Sequence, residues 1–192
     1  MSMTIKDISD YLEKIAPLNQ AEDFDNVGLL IGNETTEVKG VLVTLDTLEE
    51  TIDEAIKKNC NLIISFPPII FSGLKKINGN SYVERVVLKA IQNNIAIYAT
   101  HTALDNSKIG VSAKMCEVLG LTNYSILLPK EDSTIGMGMI GDLPKPMLED
   151  NFLTFTKKTF KTNGIRFSSK TGKHIKKVAV LGGSGSFAIA DA

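Results

Sequence analysis

The chain has 192 residues, with 21 Lys and Arg against 22 Asp and Glu, two His, two Cys and no Trp. Its 43% hydrophobic and 22% charged content is that of an ordinary folded protein, which excludes disordered, collagen-like and disulfide-scaffold chains. A formal net charge of −1 leaves no electrostatic footprint for nucleic acid or an anionic membrane, and no apolar stretch approaches the roughly 18–20 residues of a membrane span.

The start, Met1-Ser2-Met3-Thr4-Ile5-Lys6-Asp7, has no apolar secretion core. Cys60 and Cys116 each lie in an apolar helical pattern and read as reduced core thiols, so a cytoplasmic protein is expected. The Asn33-Glu34-Thr35 and Asn123-Tyr124-Ser125 sequons are then chance matches.

Helix and strand signals alternate from the first residues. Thr4 can cap a helix with Ile5, Ile8, Leu12 and Ile15 on one face, ended by Pro17. A polar loop through Asp23, Phe24, Asp25 and Asn26 leads into the apolar segment Val27 to Gly32. Val41 to Leu45 predicts a buried strand ending at Asp46, and Thr47 with Glu50 predicts a capping box for a helix burying Ile52, Ala55 and Ile56. Leu62-Ile63-Ile64 predicts a second strand, ending at Ser65. Ser81 with Glu84 opens a helix carrying Val83, Val86, Val87, Ala90 and Ile91. Ile95 to Ala99 predicts a third strand, ending at Thr100-His101. A fourth helix is expected over Val111 to Leu119, with Val111, Met115, Val118 and Leu119 on one stripe and Gly120 as its C-terminal cap. This order predicts an α/β fold: a mostly parallel sheet with helices on both faces.

The texture changes after Pro129, so the sequence divides into an N-terminal α/β domain over residues 1–129 and a smaller second α/β portion over 130–192. Gly136 to Gly141 reads as a glycine-spaced strand. Pro144 and Pro146 precede a helix with Leu148, Phe152, Phe155 and Thr159 on one side. Ile165-Arg166-Phe167 and Val178 to Leu181 read as strands, with His174 in a solvated turn between them. Gly182-Gly183-Ser184-Gly185 forms a turn, and a helical pattern starts at Phe187, so the second portion reads as truncated at Ala192 or as borrowing packing from a partner.

Ligands of open parallel sheets bind beyond the carboxyl ends of the strands. Those ends supply Asp46, the Ser65-Phe66-Pro67-Pro68 segment, and Thr100 to Asn106. His101 and Asp105 are the pair suited to a divalent metal or to acid–base work. The alternative is a hydrogen-bonded loop histidine and a helix-capping aspartate. The glycine turn at 182–185 could present N–H groups to a phosphate but lacks a P-loop lysine. Nucleophilic catalysis has little support, because no Gly-x-Ser-x-Gly elbow occurs and neither cysteine has a histidine nearby in sequence.

Several segments together resemble one family: Asp25-Asn26-Val27-Gly28-Leu29-Leu30-Ile31-Gly32, Leu62 to Phe71, Tyr98-Ala99-Thr100-His101-Thr102-Ala103-Leu104-Asp105, Gly136 to Leu143, and Val178 to Gly185. This is the GTP cyclohydrolase 1 type 2 homologue family, also called NGG-interacting-factor-three-like. The resemblance implies a ring-shaped homohexamer, a two-ion divalent metal site, and for some members hydrolytic opening of the GTP imidazole ring. It assigns metal ligands to a His-His-Pro motif, to the aspartate of His-Thr-x-x-Asp, and to a C-terminal His-x-x-x-Glu. Here Phe66-Pro67-Pro68 stands for His-His-Pro, and His-x-x-x-Glu has no match within residues 1–192. Asp105 remains, with His101 beside it. A further domain that longer members insert between the halves also has no counterpart between Pro129 and Gly136.

Two readings of function follow. One is a metal-dependent hydrolase of GTP-like rings, with impaired or absent two-metal chemistry because most ligands are replaced. The other is a non-catalytic oligomeric binding or scaffold protein on the same fold. A nucleotide-like small molecule and self-association into a ring are the expected partners.

Overall fold

The computed structural model describes residues 2–192. They form two compact units, one ending at Leu104 and the other spanning Asp105–Ala192. No helix among the described residues is long and apolar enough to cross a membrane.

The first unit contains α1 (Ile5–Ile15), β1 (Gly28–Ile31), β2 (Val41–Thr44), α2 (Glu49–Lys57), β3 (Leu62–Ser65), α3 (Tyr82–Gln92) and β4 (Ala96–Ala99). Its four-stranded sheet has the order β1-β4-β3-β2. β2, β3 and β4 are parallel, with Leu62 beside Ala96 and Val41 beside Leu62, while β1 runs antiparallel to β4. Alternation along the strands sends Ile63 and Ile97 to one face, where Ile52 and Ala55 of α2 and Val86, Val87 and Ala90 of α3 cover them. The other face carries Leu62, Ala96 and Tyr98 against Ile5, Ile8 and Leu12 of α1. Helices therefore lie on both faces, as the near-continuous apolar strands require.

The local signals are met unevenly. Thr4 and Asp7 form the reciprocal cap of α1, with Thr4 N–H donating to the Asp7 carboxylate at 2.7 Å and Asp7 N–H to the Thr4 hydroxyl at 3.3 Å. Ser81 caps α3 by accepting from Glu84 N–H at 3.2 Å. The Thr47–Glu50 box does not form. The N-cap of α2 lies one residue later, at Leu48, whose N–H donates to the Thr51 hydroxyl at 3.1 Å, and Thr47 is buried. The strand at Val41 also differs from its reading as buried. It is the sheet's edge, and Val43 is 74% exposed. An apolar run signals a strand without saying how many neighbours it has.

α4 (His101–Asn106) carries the chain across the division between units. The second unit then has α5 (Val111–Leu119), β5 (Thr122–Pro129), β6 (Gly136–Leu148), α6 (Glu149–Thr159), β7 (His174–Val180) and a 3-10 turn at Ser186–Ala188. β6 is the centre of an antiparallel sheet ordered β5-β6-β7. The compact units divide at Leu104 and Asp105 rather than after Pro129. The reason is packing: Ala113, Cys116 and Leu119 of α5 share a core with Met139 and Leu143 of β6 and with Val178 and Val180 of β7. Val118, expected on the inner stripe, is exposed.

β6 continues through Pro144 and Pro146, where its register with β7 shifts between Asp142 and Met147. Proline lacks the N–H of a regular ladder, so an irregular stretch is where it is tolerated. Close approach of β5 explains Gly141, where an added Cβ would stand 2.7 Å from Tyr124 Cβ. Ile165 to Phe167 forms no strand, and Phe167 is exposed. His174, read as a turn residue, is the first residue of β7 and pairs with Leu148.

Candidate functional site in the first unit

β4 ends at Ala99, and its parallel pairing with β3 persists briefly beyond. Thr100 N–H donates to Ser65 O at 3.1 Å and His101 N–H to Phe66 O at 2.8 Å. This fixes His101 at the carboxyl ends of two central strands, where open sheets present ligand-binding groups. His101 has φ +21°, at the border of the left-handed region that non-glycine residues rarely enter.

The antiparallel register of β1 on β4 places Gly28 beside Ala99 and Leu29 beside Tyr98. Just beyond the paired ends of these strands, Asp25 in the loop before β1 meets Thr102 in the first turn of α4. Thr102 N–H donates to Asp25 Oδ2 at 3.0 Å and the Thr102 hydroxyl donates to the same oxygen at 2.5 Å. Asn26 N–H donates to Asp25 Oδ1 at 2.8 Å, and His101 Nδ1 lies 2.9 Å from both carboxylate oxygens. The Thr102 hydroxyl also accepts from Glu22 N–H at 2.9 Å, which holds the loop in place.

The Asp25 side chain is fully buried. Burial pushes its carboxyl up, but donation from the Thr102 hydroxyl, His101 and the Thr102 and Asn26 N–H groups outweighs this and holds it below the ordinary value. An ionised Asp25 can only accept, so Nδ1 of His101 carries the proton. In the neutral ring the Nε2 lone pair is then left to accept a hydrogen bond or a proton.

Aromatic rings surround this imidazole. Phe66 meets it edge-on with centroids 5.4 Å apart, and Phe71 does so at 6.3 Å. Phe24 packs on Phe71 at 6.3 Å, and both rings are more than half exposed. Asn26 ties the segment down, its side-chain amide donating to Ile70 O at 2.6 Å. The result is a buried carboxylate, an oriented imidazole and an exposed aromatic rim, all within the first unit.

The remaining sequence candidates lie elsewhere. His101 and Asp105 both belong to α4, but His101 is in the first unit and Asp105 opens the second. The carboxylate that His101 bonds is Asp25. Asp105 stands beside the glycine turn, its Oδ1 3.7 Å from where a Cβ on Gly182 would sit. Asp46 is exposed at the end of β2, and β3 intervenes between that strand and β4. At ~4.8 Å per strand, β2 and β4 themselves run about 10 Å apart. Asp25 was visible in the sequence only as a turn former; spacing gives no sign of a partner 76 positions away.

A two-ion centre does not fit the residues present. Among the described residues, no group of three or more His, Cys, Asp or Glu side chains is placed to hold a metal ion. Phe66 offers no lone pair, Pro67 offers only its carbonyl, and Nδ1 of His101 is taken by Asp25. Divalent ions bound tightly need several anionic or imidazole donors to replace their water.

Comparison with known proteins places this geometry in context. The family model for Duf34/NIF3 (NGG1p interacting factor 3) matches residues 3–192. A Clostridium acetobutylicum protein named GTP cyclohydrolase 1 type 2 homolog is 36% identical over 187 residues, covering 96% of this chain and 70% of that one. Its namesake in Clostridium perfringens is 33% identical over 192 residues, covering 99% and 73%. Among solved structures, a Staphylococcus aureus hypothetical protein superposes with a TM-score of 0.90 at 31% identity, covering 97% of this chain and 74% of that one. A Bacillus cereus protein related to NIF3 gives 0.92 at 25% identity, covering 100% and 80%. With the whole described fold matched and identity above 30% along nearly all of its length, the chain belongs to the Duf34/NIF3 family.

Proposed function

We propose that this family member binds a planar, nucleotide-like small molecule at His101 without two-metal hydrolysis. The observation that carries the reading is the Phe66 ring, set edge-on against His101 at 5.4 Å. The resemblance assigns that position to the first metal-binding histidine. Nε2 of His101 supplies one directional acceptor, oriented through Nδ1 by Asp25. The exposed faces of Phe24 and Phe71 supply apolar area on which a ring can stack. Small-molecule sites combine these elements: mostly apolar walls and a few fixed polar groups. A metal ion activates water by lowering the pKa of the molecule bound to it, whereas a single imidazole supplies only a general base.

The test is elemental analysis of the purified protein together with GTP turnover in added zinc, iron or manganese. Sub-stoichiometric metal and no turnover are expected, with GTP or guanosine binding that is lost in His101→Ala. Near-stoichiometric metal, or GTP hydrolysis that depends on it, overturns the proposal.

The relatives' names support a second reading, a GTP cyclohydrolase-like enzyme, for which the resemblance implies metal dependence. In it His101 and Asp105 are ligands and the other donors come from groups this chain does not supply. Metal analysis separates the two readings directly.

A further inference from the structure

A cavity of about 750 Å³ opens beside the amino ends of β3 and β4, at the other end of the first unit's sheet from His101. That volume is within the roughly 300–1,000 Å³ of small-molecule sites. Ile31, Ile95 and Ala96 line it and are buried, while Ile56 and Ile91, from the last turns of α2 and α3, line it and are exposed. No aromatic side chain takes part.

Both helices end at this cavity in the same way. Asn59 and Asn94 have φ +55° and +53°, and the following N–H groups, of Cys60 and Ile95, return to Ala55 O at 2.8 Å and Ala90 O at 2.9 Å. Asparagine tolerates the left-handed backbone that such a helix stop requires. Two helix C-termini, each with partial negative charge, therefore border one cavity, which disfavours a phosphate or any other lone anion.

Two charged side chains line the cavity, Glu37 and Lys39. They flank Val38, which packs against the cluster beneath α1, so the alternation of extended backbone turns both away from that core. The Asn61 amide fixes this segment: Nδ2 donates to Glu37 O at 2.8 Å, and Oδ1 accepts from Lys39 N–H at 2.7 Å. Glu37 and Lys39 are exposed, and neither forms a salt bridge among the described residues. Two residues apart on extended chain, their Cα atoms are separated by ~6.6 Å, so a carboxylate and an ammonium can converge on one place.

We propose that this cavity binds a free aliphatic amino acid of the size of leucine. Glu37 takes its ammonium group, Lys39 takes its carboxylate, and the isoleucines surround its side chain. A zwitterion has no net charge to be repelled by the helix ends, and its adjacent charges need opposite partners side by side. Walls that are aliphatic throughout suit a branched chain. The site is separate from His101 and does not depend on the function proposed there.

Cys60 reports occupancy, because it lines the cavity and is only partly buried, whereas Cys116 is buried. The test is the rate of Cys60 alkylation by iodoacetamide on the full chain, with and without L-leucine. Titration calorimetry with L-leucine reads binding without the thiol. Saturating L-leucine is expected to slow alkylation several-fold, and Glu37→Gln and Lys39→Gln each to raise the half-protecting concentration at least tenfold. Both side chains are exposed, so the circular dichroism spectrum should not change. Isoamylamine, which lacks the carboxylate, isovalerate, which lacks the ammonium, and inorganic phosphate should not protect at the same concentration. The proposal is overturned by absence of heat and protection at millimolar L-leucine, by equal protection from isoamylamine or isovalerate, or by variants that bind like wild type. Heat of binding that leaves Cys60 alkylation unchanged puts the amino acid elsewhere and overturns it as well.

Discussion

Asp25 and His101 stand 76 positions apart, yet both oxygens of the Asp25 carboxylate lie 2.9 Å from Nδ1 of His101. The carboxylate fixes the tautomer of the ring it holds and with it the direction of the remaining lone pair. Removing it leaves the Thr102 and Asn26 N–H groups without their acceptor. Asp25→Ala is expected to cost about 3 kcal/mol, since charged hydrogen bonds lose ~1.5–3 kcal/mol each and not additively. Denaturant unfolding measures this; an unchanged midpoint removes the network from the stability of the first unit. In Asp25→Asn, nitrogen NMR of the imidazole should show His101 losing its preference for the Nδ1–H form.

The same carboxyl makes stability depend on pH in the acid range. Its folded value lies below its ordinary value of 3.8. A depressed carboxylate contributes fully above the unfolded value, and the contribution disappears as pH falls through the folded one. The stability gap between wild type and Asp25→Asn should therefore be constant near neutrality and close below about pH 4. A gap that stays the same down to acid unfolding would contradict the assignment.

Gly32 is held by close packing. It has φ +114°, and an added Cβ would stand 2.6 Å from Ala96 Cβ on the neighbouring strand. Gly32→Ala combines backbone strain of ~1–3 kcal/mol with a clash against a central strand, so a loss of about 3 kcal/mol is expected. Gly164 has nothing within 4 Å of its Cβ position. Gly164→Ala is the matched control, with an effect within about 0.5 kcal/mol. Thermal unfolding of the two variants distinguishes them.

If Phe66-Pro67 stands where the family carries two histidines, restoring them should restore metal affinity. Phe66→His combined with Pro67→His is expected to tighten zinc binding on the order of tenfold or more, because each added imidazole replaces a water at the ion. Competition with a chelator reads the change. Equal affinity in wild type and the double variant would show that these positions do not face a common ion.

Periodicity and caps determined most of the elements from the sequence alone. The reciprocal Thr4–Asp7 cap, the helix at Ser81 and the strands at Leu62 and Ile95 follow from interactions within a few residues, which a linear reading can see. The strand over Thr122–Pro129 was not anticipated, because its exposed first half shows no apolar alternation and its pairing with β6 supplies the order. Ile165 to Phe167 failed in the opposite way: strand-forming residues found no neighbour to pair with. His101 could be picked out as chemically active because a histidine at a strand's carboxyl end is suggestive wherever it occurs. Its actual partner could not. Asp25 reaches it through the antiparallel register of β1 on β4, a long-range pairing that leaves no mark in local spacing. Tertiary structure likewise decided that Val41 to Thr44 is an edge and that α5 belongs to the second unit's core. Local hydrogen bonding and side-chain periodicity are written along the chain. Which surfaces meet depends on the simultaneous burial of segments distant in sequence, and that is fixed only when the whole chain is packed.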